Sequence, residues 1–258
     1  MHSPTSNAFG TKRPITVSIV SHGQLHLIVP LLDQLDALCA DSIERVLLTH
    51  NLPEPDDPTL ARRPWRFALE RIHNAQPQGF GANHNAAFRR CATDWYLVLN
   101  PDIRLDADVL APLVVQARPD AGLLAPRIME PGKAAPEQHR RILTPLEILT
   151  RRKPGYPIPA VPDWIPGLFM LFRTDAYRQI EGFDARRYFM YGEDFDICAR
   201  LLLAGWRIQI AEDLRARHEA QRASHRSRRH LWWHATSLLK VWASGPFWRL
   251  WWRRRGEA

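Results

Sequence analysis

The sequence predicts an α/β fold, a largely parallel central sheet flanked by helices, with a basic, tryptophan-rich helical appendage at the C-terminal end. Three observations lead there. Short apolar runs alternate with segments of helical period. The apolar run Trp95-Tyr96-Leu97-Val98-Leu99 stops at Asn100-Pro101-Asp102, a polar end of the kind that marks the carboxyl edge of such a sheet. The chain's 258 residues, 45% hydrophobic and 24% charged, suffice for one full core and exclude a disordered chain.

Taken in order, Ile15-Thr16-Val17-Ser18-Ile19-Val20-Ser21 reads as the first strand, and a helix leads to a second in Val46-Leu47-Leu48-Thr49-His50-Asn51. A proline-rich link covers 52–64, a strand-like piece lies near 65–69, and a polar loop runs into Gly79. A helix over 83–91 precedes the strand that ends at Asp102, and another helix is expected near 107–117. Asn-Pro-Asp is by itself a turn, yet in this place it also sets an oxygen ligand outside a strand's carboxyl end.

In Tyr191-Gly192-Glu193-Asp194-Phe195-Asp196, acids stand ahead of a helix carried by Ile197, Leu201, Leu202 and Leu203 and stopped by Gly205-Trp206. Two readings are open for them. They cap the helix and complement its dipole, or one of them serves as a base. Asp102 and Asp194 together suggest a divalent ion held beside a general base. Gly79-Phe80-Gly81 lacks the third glycine and the following acid of a dinucleotide fingerprint, so that reading is set aside.

Cys39, Cys91 and Cys198 lie far apart in apolar segments, which suggests neither a zinc site nor a disulfide framework and fits a reducing cytoplasm. The first 13 residues are polar and read as a flexible N-terminus without a signal peptide, and no apolar stretch reaches the ~20 residues that span a bilayer. The net charge of +8 gathers in the tail from Arg215 onward. There Leu231, Trp232, Ala235, Leu238, Leu239 and Trp242 recur at helical spacing, and Phe247-Trp248-Arg249-Leu250-Trp251-Trp252-Arg253-Arg254-Arg255 follows Ser244-Gly245-Pro246. Tryptophan with arginine suits a helix lying on an anionic membrane surface, or one packed on the domain.

Four segments in order give the chain a specific likeness: the first strand, Gly79-Phe80-Gly81-Ala82-Asn83-His84-Asn85, Asn100-Pro101-Asp102, and the block from Trp164 to Trp206. That block holds Pro166-Gly167-Leu168-Phe169-Met170, Gly182-Phe183-Asp184 and Phe189-Met190-Tyr191-Gly192-Glu193-Asp194. The chain resembles the inverting family 2 glycosyltransferases with the GT-A fold, and most closely their rhamnosyltransferase-like bacterial members. The resemblance implies a catalytic domain over 14–218 and an extension over 219–258.

It further implies transfer of a sugar, rhamnose in the nearest-looking members, from a nucleotide-diphosphate donor such as dTDP-rhamnose to a lipid-linked or polysaccharide acceptor of the cell envelope. The enzyme would work at the inner face of the cell membrane. Asp102 would bind Mg2+ or Mn2+ and Asn100 would replace the first acid of the family's Asp-X-Asp motif; His218 would reach the metal or the diphosphate. Ser21, His22, Asn51, Gly81 and Asn85 would join Asn100 and Asp102 around the donor. Asp194 would be the base, Glu193 would orient it, and Trp164, Gly167 and Asp196 would stand on the acceptor side. His50 stands where relatives have an aspartate that helps hold the nucleobase, and His22-Gly23 replaces their Tyr-Asn or Phe-Asn.

The basic, proline-rich insertion between Glu130 and Pro162, with His139-Arg140-Arg141 and Arg151-Arg152-Lys153, is either a solvated loop or a cover over the acceptor whose cations meet an anionic group. Two other functions compete. The basic aromatic tail could bind single-stranded nucleic acid, although no nucleic-acid module is present in the core and paired acids repel a polyanion. A non-catalytic glycan-binding protein with a degenerate site is the third reading.

Overall fold

The computed structural model describes residues 13–55, 57–132, 140–151, 153, 155–156, 159–219 and 236–257. The expectations for the N-terminal 12 residues and for His139, Arg152, Leu231, Trp232 and Ala235 lie outside the described residues. Among those described, eight strands form one sheet in the order β3-β2-β1-β4-β7-β6-β8-β5. They are β1 (Ile15–Ser21), β2 (Ile43–His50), β3 (Ala68–His73), β4 (Trp95–Leu99), β5 (Ile103–Arg104), β6 (Ala121–Met129), β7 (Phe169–Arg173) and β8 (Arg207–His218).

The first half of the sheet is parallel, as expected, with β1 between β2 and β4 and β3 at the edge. The second half is mixed. β7 runs antiparallel to both β4 and β6, β6 and β8 are parallel, and β5 pairs antiparallel with β8. The last ladder sets Ile103 opposite His218, which brings the residue before Ile103, Asp102, to the end of β8.

The helices are α1 (Leu25–Gln34, running into a π-helical turn at Leu35–Cys39), α2 (Pro58–Arg62), α3 (Phe80–Phe88) and α4 (Leu110–Val115). They continue as α5 (Pro145–Thr150), α6 (Thr174–Gln179), α7 (Glu193–Leu203), α8, described over 236–242, and α9 (Gly245–Glu257). Two expectations shift. The third strand begins at Ala68 rather than Trp65, and the proline-rich link carries α2. α3 begins at Phe80, three residues before the expected start, because Gly79 is its N-cap and the Phe80 N–H is already bonded to the Phe189 carbonyl at 3.1 Å.

Both faces of the sheet are covered, and the strands show it by period-2 alternation. Ile15, Val17, Ile19, Leu97, Leu99, Phe169 and Leu171 belong to one buried cluster with α1 and α4. Tyr96, Val98, Met170 and Phe172 belong to the other, with α6, α7, α8 and α9. On β1 the second face is polar and satisfied: Thr16 accepts from Thr93, and Ser18 meets His84 of α3 at 2.8 Å.

α7 ends as the sequence predicts, in a Schellman motif. The Trp206 N–H reaches the Leu201 carbonyl and the Gly205 N–H the Leu202 carbonyl, with Gly205 at φ 94°. The tail packs on this helix. Phe247 and Leu250 are buried, Phe247 lies 5.9 Å from the Phe195 ring, and Arg253 donates to the Leu202 carbonyl. Cys39, Cys91 and Cys198 form no disulfide.

Candidate active site

The residues just past the carboxyl ends of β1, β2 and β4 open into a cavity of about 630 Å3. His22, Asn51, Asn100 and Asp102 line it, together with Gln24, Gln78, Phe80, Phe189 and Met190. Amide hydrogen bonds shape its floor. Asn51 Oδ1 accepts from Asn74 Nδ2 at 2.8 Å and from the Gln78 N–H at 2.7 Å, while Asn51 Nδ2 donates to the Gln78 carbonyl and meets His22 Nδ1 at 3.0 Å.

At the cavity's far side, the Ile103 N–H bonds the Asn100 carbonyl at 3.2 Å and closes the turn that Pro101 pre-sets. Asp102 Oδ2 lies 3.0 Å from His218 Nε2, and His218 Nδ1 lies 3.2 Å from Glu130 Oε1. Burial lowers the His218 pKa, but the Asp102 and Glu130 carboxylates outweigh it and hold the imidazole above its ordinary value. Asp102 Oδ1 is buried with no hydrogen-bond partner. Among the described residues no three His, Cys, Asp or Glu side chains form a complete cage. One carboxylate oxygen and one imidazole nitrogen, with the second imidazole nitrogen fixed by a carboxylate, fit a Mg2+ or Mn2+ ion that takes its other ligands from phosphate and water.

A second cavity, of about 180 Å3, is lined by Glu193 and Asp194 together with Trp164, Tyr191, Gly192, Arg140 and Arg151. Tyr191 at φ 69° and Gly192 at φ 89° are consecutive left-handed residues, and their bend delivers both acids into the first turn of α7. Burial raises the Asp194 pKa, partly offset by the Arg140 charge and by the N–H groups of Phe195, Asp194 and Gly167. Burial and then the neighbouring Asp194 charge raise Glu193, whose Oε2 is buried without a partner. A carboxylate with a raised pKa can accept a proton near neutral pH.

One short segment serves both cavities. Phe189 and Met190 line the first, and Tyr191, Gly192, Glu193 and Asp194 line the second. Gly167 stands between them: a Cβ there would lie 3.2 Å from Phe80 of the first cavity and 3.9 Å from Asp194 of the second.

Several expected site residues have other work. Ser21 is fully buried and donates to Glu54 at 2.8 Å, so its hydroxyl is committed below the cavity. Gly81 is a close-packing position, where a Cβ would fall 2.5 Å from the Cβ of Phe183. Asn85 clamps the Phe183 backbone, donating to its carbonyl at 2.7 Å and accepting its N–H at 2.9 Å. Asp196 is 2% exposed and pairs with Arg200 at 2.7 Å, outside both cavities. His50 is buried too, stacked on His73 at 4.6 Å with its Nδ1 on Glu54 Oε2 at 3.1 Å.

Residues 163–239 match the sequence model described as "Glycosyltransferase like family 2". The chain is 30% identical over 226 residues to the rhamnosyltransferase WbbL of Escherichia coli K12, a match that spans 80% of this chain and 83% of that protein. The chain belongs to glycosyltransferase family 2.

This family 2 glycosyltransferase is also 31% identical over 132 residues to the N-acetylglucosaminyl-diphospho-decaprenol L-rhamnosyltransferase of Mycobacterium tuberculosis, across 44% of this chain and 43% of that one. Its fold is that of the mannosyltransferase PcManGT from Pyrobaculum calidifontis, solved with GDP-Man and Mn2+, at TM-score 0.65 and 19% identity, covering 92% of this chain and 68% of that one. The fold is therefore GT-A and the protein a transferase. The family gives no support to the nucleic-acid reading of the tail.

Sequence reasoning missed Glu130, Glu54, Gln78 and the split use of the segment from Phe189 to Asp194. Glu54 follows His50 by four residues and supplies a carboxylate, 5% exposed, beside the position where the resemblance expects an acid. Glu130 carries no signal in the sequence, since it meets His218 across 88 residues.

Proposed function

We propose that this enzyme transfers a deoxyhexose, rhamnose, with inversion from a nucleotide-diphosphate donor of the dTDP type to a lipid-linked or polysaccharide acceptor of the cell envelope. The observation that carries the reading is the segment from Phe189 to Asp194, which joins a large cavity lined by Asp102, whose carboxylate lies 3.0 Å from His218, to a smaller one bearing Asp194. A single displacement needs this separation. The leaving diphosphate and the attacking hydroxyl must approach the anomeric carbon from opposite sides, with charge stabilised on one and a base on the other. The sugar rests on the two rhamnosyltransferase relatives, and the lipid-linked acceptor on the name of the mycobacterial one.

In this mechanism Asn51, His22 and Gln78 hold the nucleoside and Asn100 the adjoining ribose or phosphate. Asp102 and His218 would hold Mg2+ or Mn2+, which supplies neutralisation of the charge that builds on the departing diphosphate. On the acceptor side, Asp194 takes the hydroxyl proton as the new bond to the anomeric carbon forms and the bond to the diphosphate oxygen breaks. The Phe195 N–H donates to Asp194 Oδ1 at 2.8 Å and keeps the carboxylate aimed. Glu193, beside it, is held above the ordinary carboxylate range by burial and by the Asp194 charge, so Asp194 is the one of the two acids assigned as base.

The tail supports work at a membrane surface. Among the described residues no helix is long and apolar enough to cross a bilayer. On α9, Trp248 and Trp252 are 47% and 63% exposed among Arg249, Arg253, Arg254 and Arg255, while Phe247 and Leu250 fix the helix to α7. That face suits an anionic lipid surface, with rings among headgroups and cations on phosphates.

Thermal shift against a panel of sugar nucleotides, each with Mn2+ or Mg2+, tests the reading. A metal-dependent rise in Tm with a dTDP sugar is expected. No shift with any sugar nucleotide would remove the transferase reading of the cavity.

A further inference from the structure

The smaller cavity has walls that proton transfer does not use. Arg140 and Arg151 line it, with Leu143 and Ile148 from the α5 region and Ser237, Leu238 and Val241 from α8. The Arg140 guanidinium lies 4.7 Å from the centre of the Trp164 ring, and its charge reaches the Asp194 carboxyl. Arg151 is the C-cap of α5, where a cation also meets the negative end of the helix. Trp242 Nε1–H bonds the Leu143 carbonyl at 2.8 Å and pins α8 against the entry to α5.

The same two elements turn apolar side chains outward. Ile148 faces the cavity while Leu146 and Leu149 of α5 are 70% and 73% exposed; Leu238 faces the cavity while Leu239 of α8 is 62% exposed. Arg254 of α9 holds Asp163 at 2.7 Å, beside Val161, which is 59% exposed. Two cations inside and an apolar rim outside do not suit a neutral, soluble saccharide. They suit an anion with a hydrocarbon chain attached.

We infer that the cavity in front of Asp194 binds the phosphate or diphosphate of a lipid-linked acceptor between Arg140 and Arg151, with α8 as its wall and Leu146, Leu149 and Leu239 receiving the start of the lipid chain. This rests on the transferase reading above and names the acceptor class for it. It also gives the C-terminal extension a place in the acceptor site, in addition to the membrane-facing surface of α9.

The test uses the full chain and farnesyl diphosphate as probe, titrated in EDTA so that no divalent ion draws its diphosphate to Asp102. Binding is expected to weaken about tenfold in Arg151→Gln, a loss of ~1.4 kcal/mol, and to weaken in the exposed double variant Leu146→Gln/Leu149→Gln. Inorganic pyrophosphate and farnesol should each bind less tightly than farnesyl diphosphate. Unchanged affinity in both Arg140→Gln and Arg151→Gln would overturn the site, as would a loss on Asp102→Ala instead. Pyrophosphate binding as tightly as the prenyl compound would overturn the lipid part. A Mn2+-dependent thermal shift with sugar nucleotide, measured on the same protein preparations without EDTA, separates the two claims: its persistence without farnesyl diphosphate binding leaves the transferase reading standing and this one refuted.

Discussion

In the proposed mechanism Asp194 and the pair Asp102–His218 divide the chemistry at the scale of single residues. Asp194→Asn should lower transfer by roughly 100- to 10,000-fold, the range of general-base catalysis. Its pKa is raised, so the active, ionised form is lost as pH falls through a value above the ordinary carboxylate range. The acid limb of kcat/KM should therefore lie above pH ~4, the free carboxylate value, and it belongs to the coupled pair with Glu193. A limb at the free-carboxylate position would contradict the buried base. Glu130→Gln should weaken Mn2+ binding by about 10- to 100-fold, as loss of a carboxylate behind a metal-bound imidazole does. Manganese titration followed by electron paramagnetic resonance reads this without turnover, and an unchanged affinity would make Glu130 a bystander. Asp102 and Asp194 stand out in the sequence because each sits at the end of a recognisable element. Ser21, Gly81 and Asn85 lie near the cavity residues in sequence but outside its lining, where their side chains or missing side chains serve hydrogen bonds and packing within the fold.

At the scale of elements, the start of α7 concentrates the strain. Gly192→Ala places a Cβ in a left-handed backbone and 2.9 Å from Val241 Cγ2, so it should cost roughly 1–2 kcal/mol for the backbone alone. Chemical denaturation measures it, and activity should fall as well because the bend aims both acids. Glu193→Gln should do the opposite to stability. The Glu193 carboxyl has a folded pKa above its unfolded one, so its contribution is fully present below the unfolded value and lost as pH rises through the folded value. The variant should therefore gain on the parent as pH rises, by roughly 1–3 kcal/mol for removal of a buried charge. Equal Tm differences at pH 4 and pH 8 would refute that account. The helix itself was plain in the sequence, from its apolar spacing to the Gly205 stop. The two left-handed residues before it were not, because Tyr191 gives no sign of positive φ.

For the whole molecule, alternating strands and helices were enough to read the parallel half of the sheet, from β1 to β4. The antiparallel insertion of β7 was hidden, since an apolar run such as Phe169–Arg173 reads the same in either direction. The tail held two answers at once. Phe247 and Leu250 pack on α7 while Trp248 and Trp252 face out, a split that helical spacing alone left open. Trp248→Ser/Trp252→Ser should thus weaken flotation with anionic liposomes several-fold and leave the fold intact, and added salt should weaken the parent's binding. Unchanged flotation would leave the tail a packing element only. The central claim is that one segment separates a donor cavity from an acceptor base. Its most direct test is the Mn2+-dependent affinity for dTDP-rhamnose in Asp194→Asn, measured beside transfer by the same protein. Donor affinity should stay within about twofold of the parent, ~0.4 kcal/mol, while transfer falls by roughly 100-fold or more; full transfer, or donor binding lost with it, would contradict the separation.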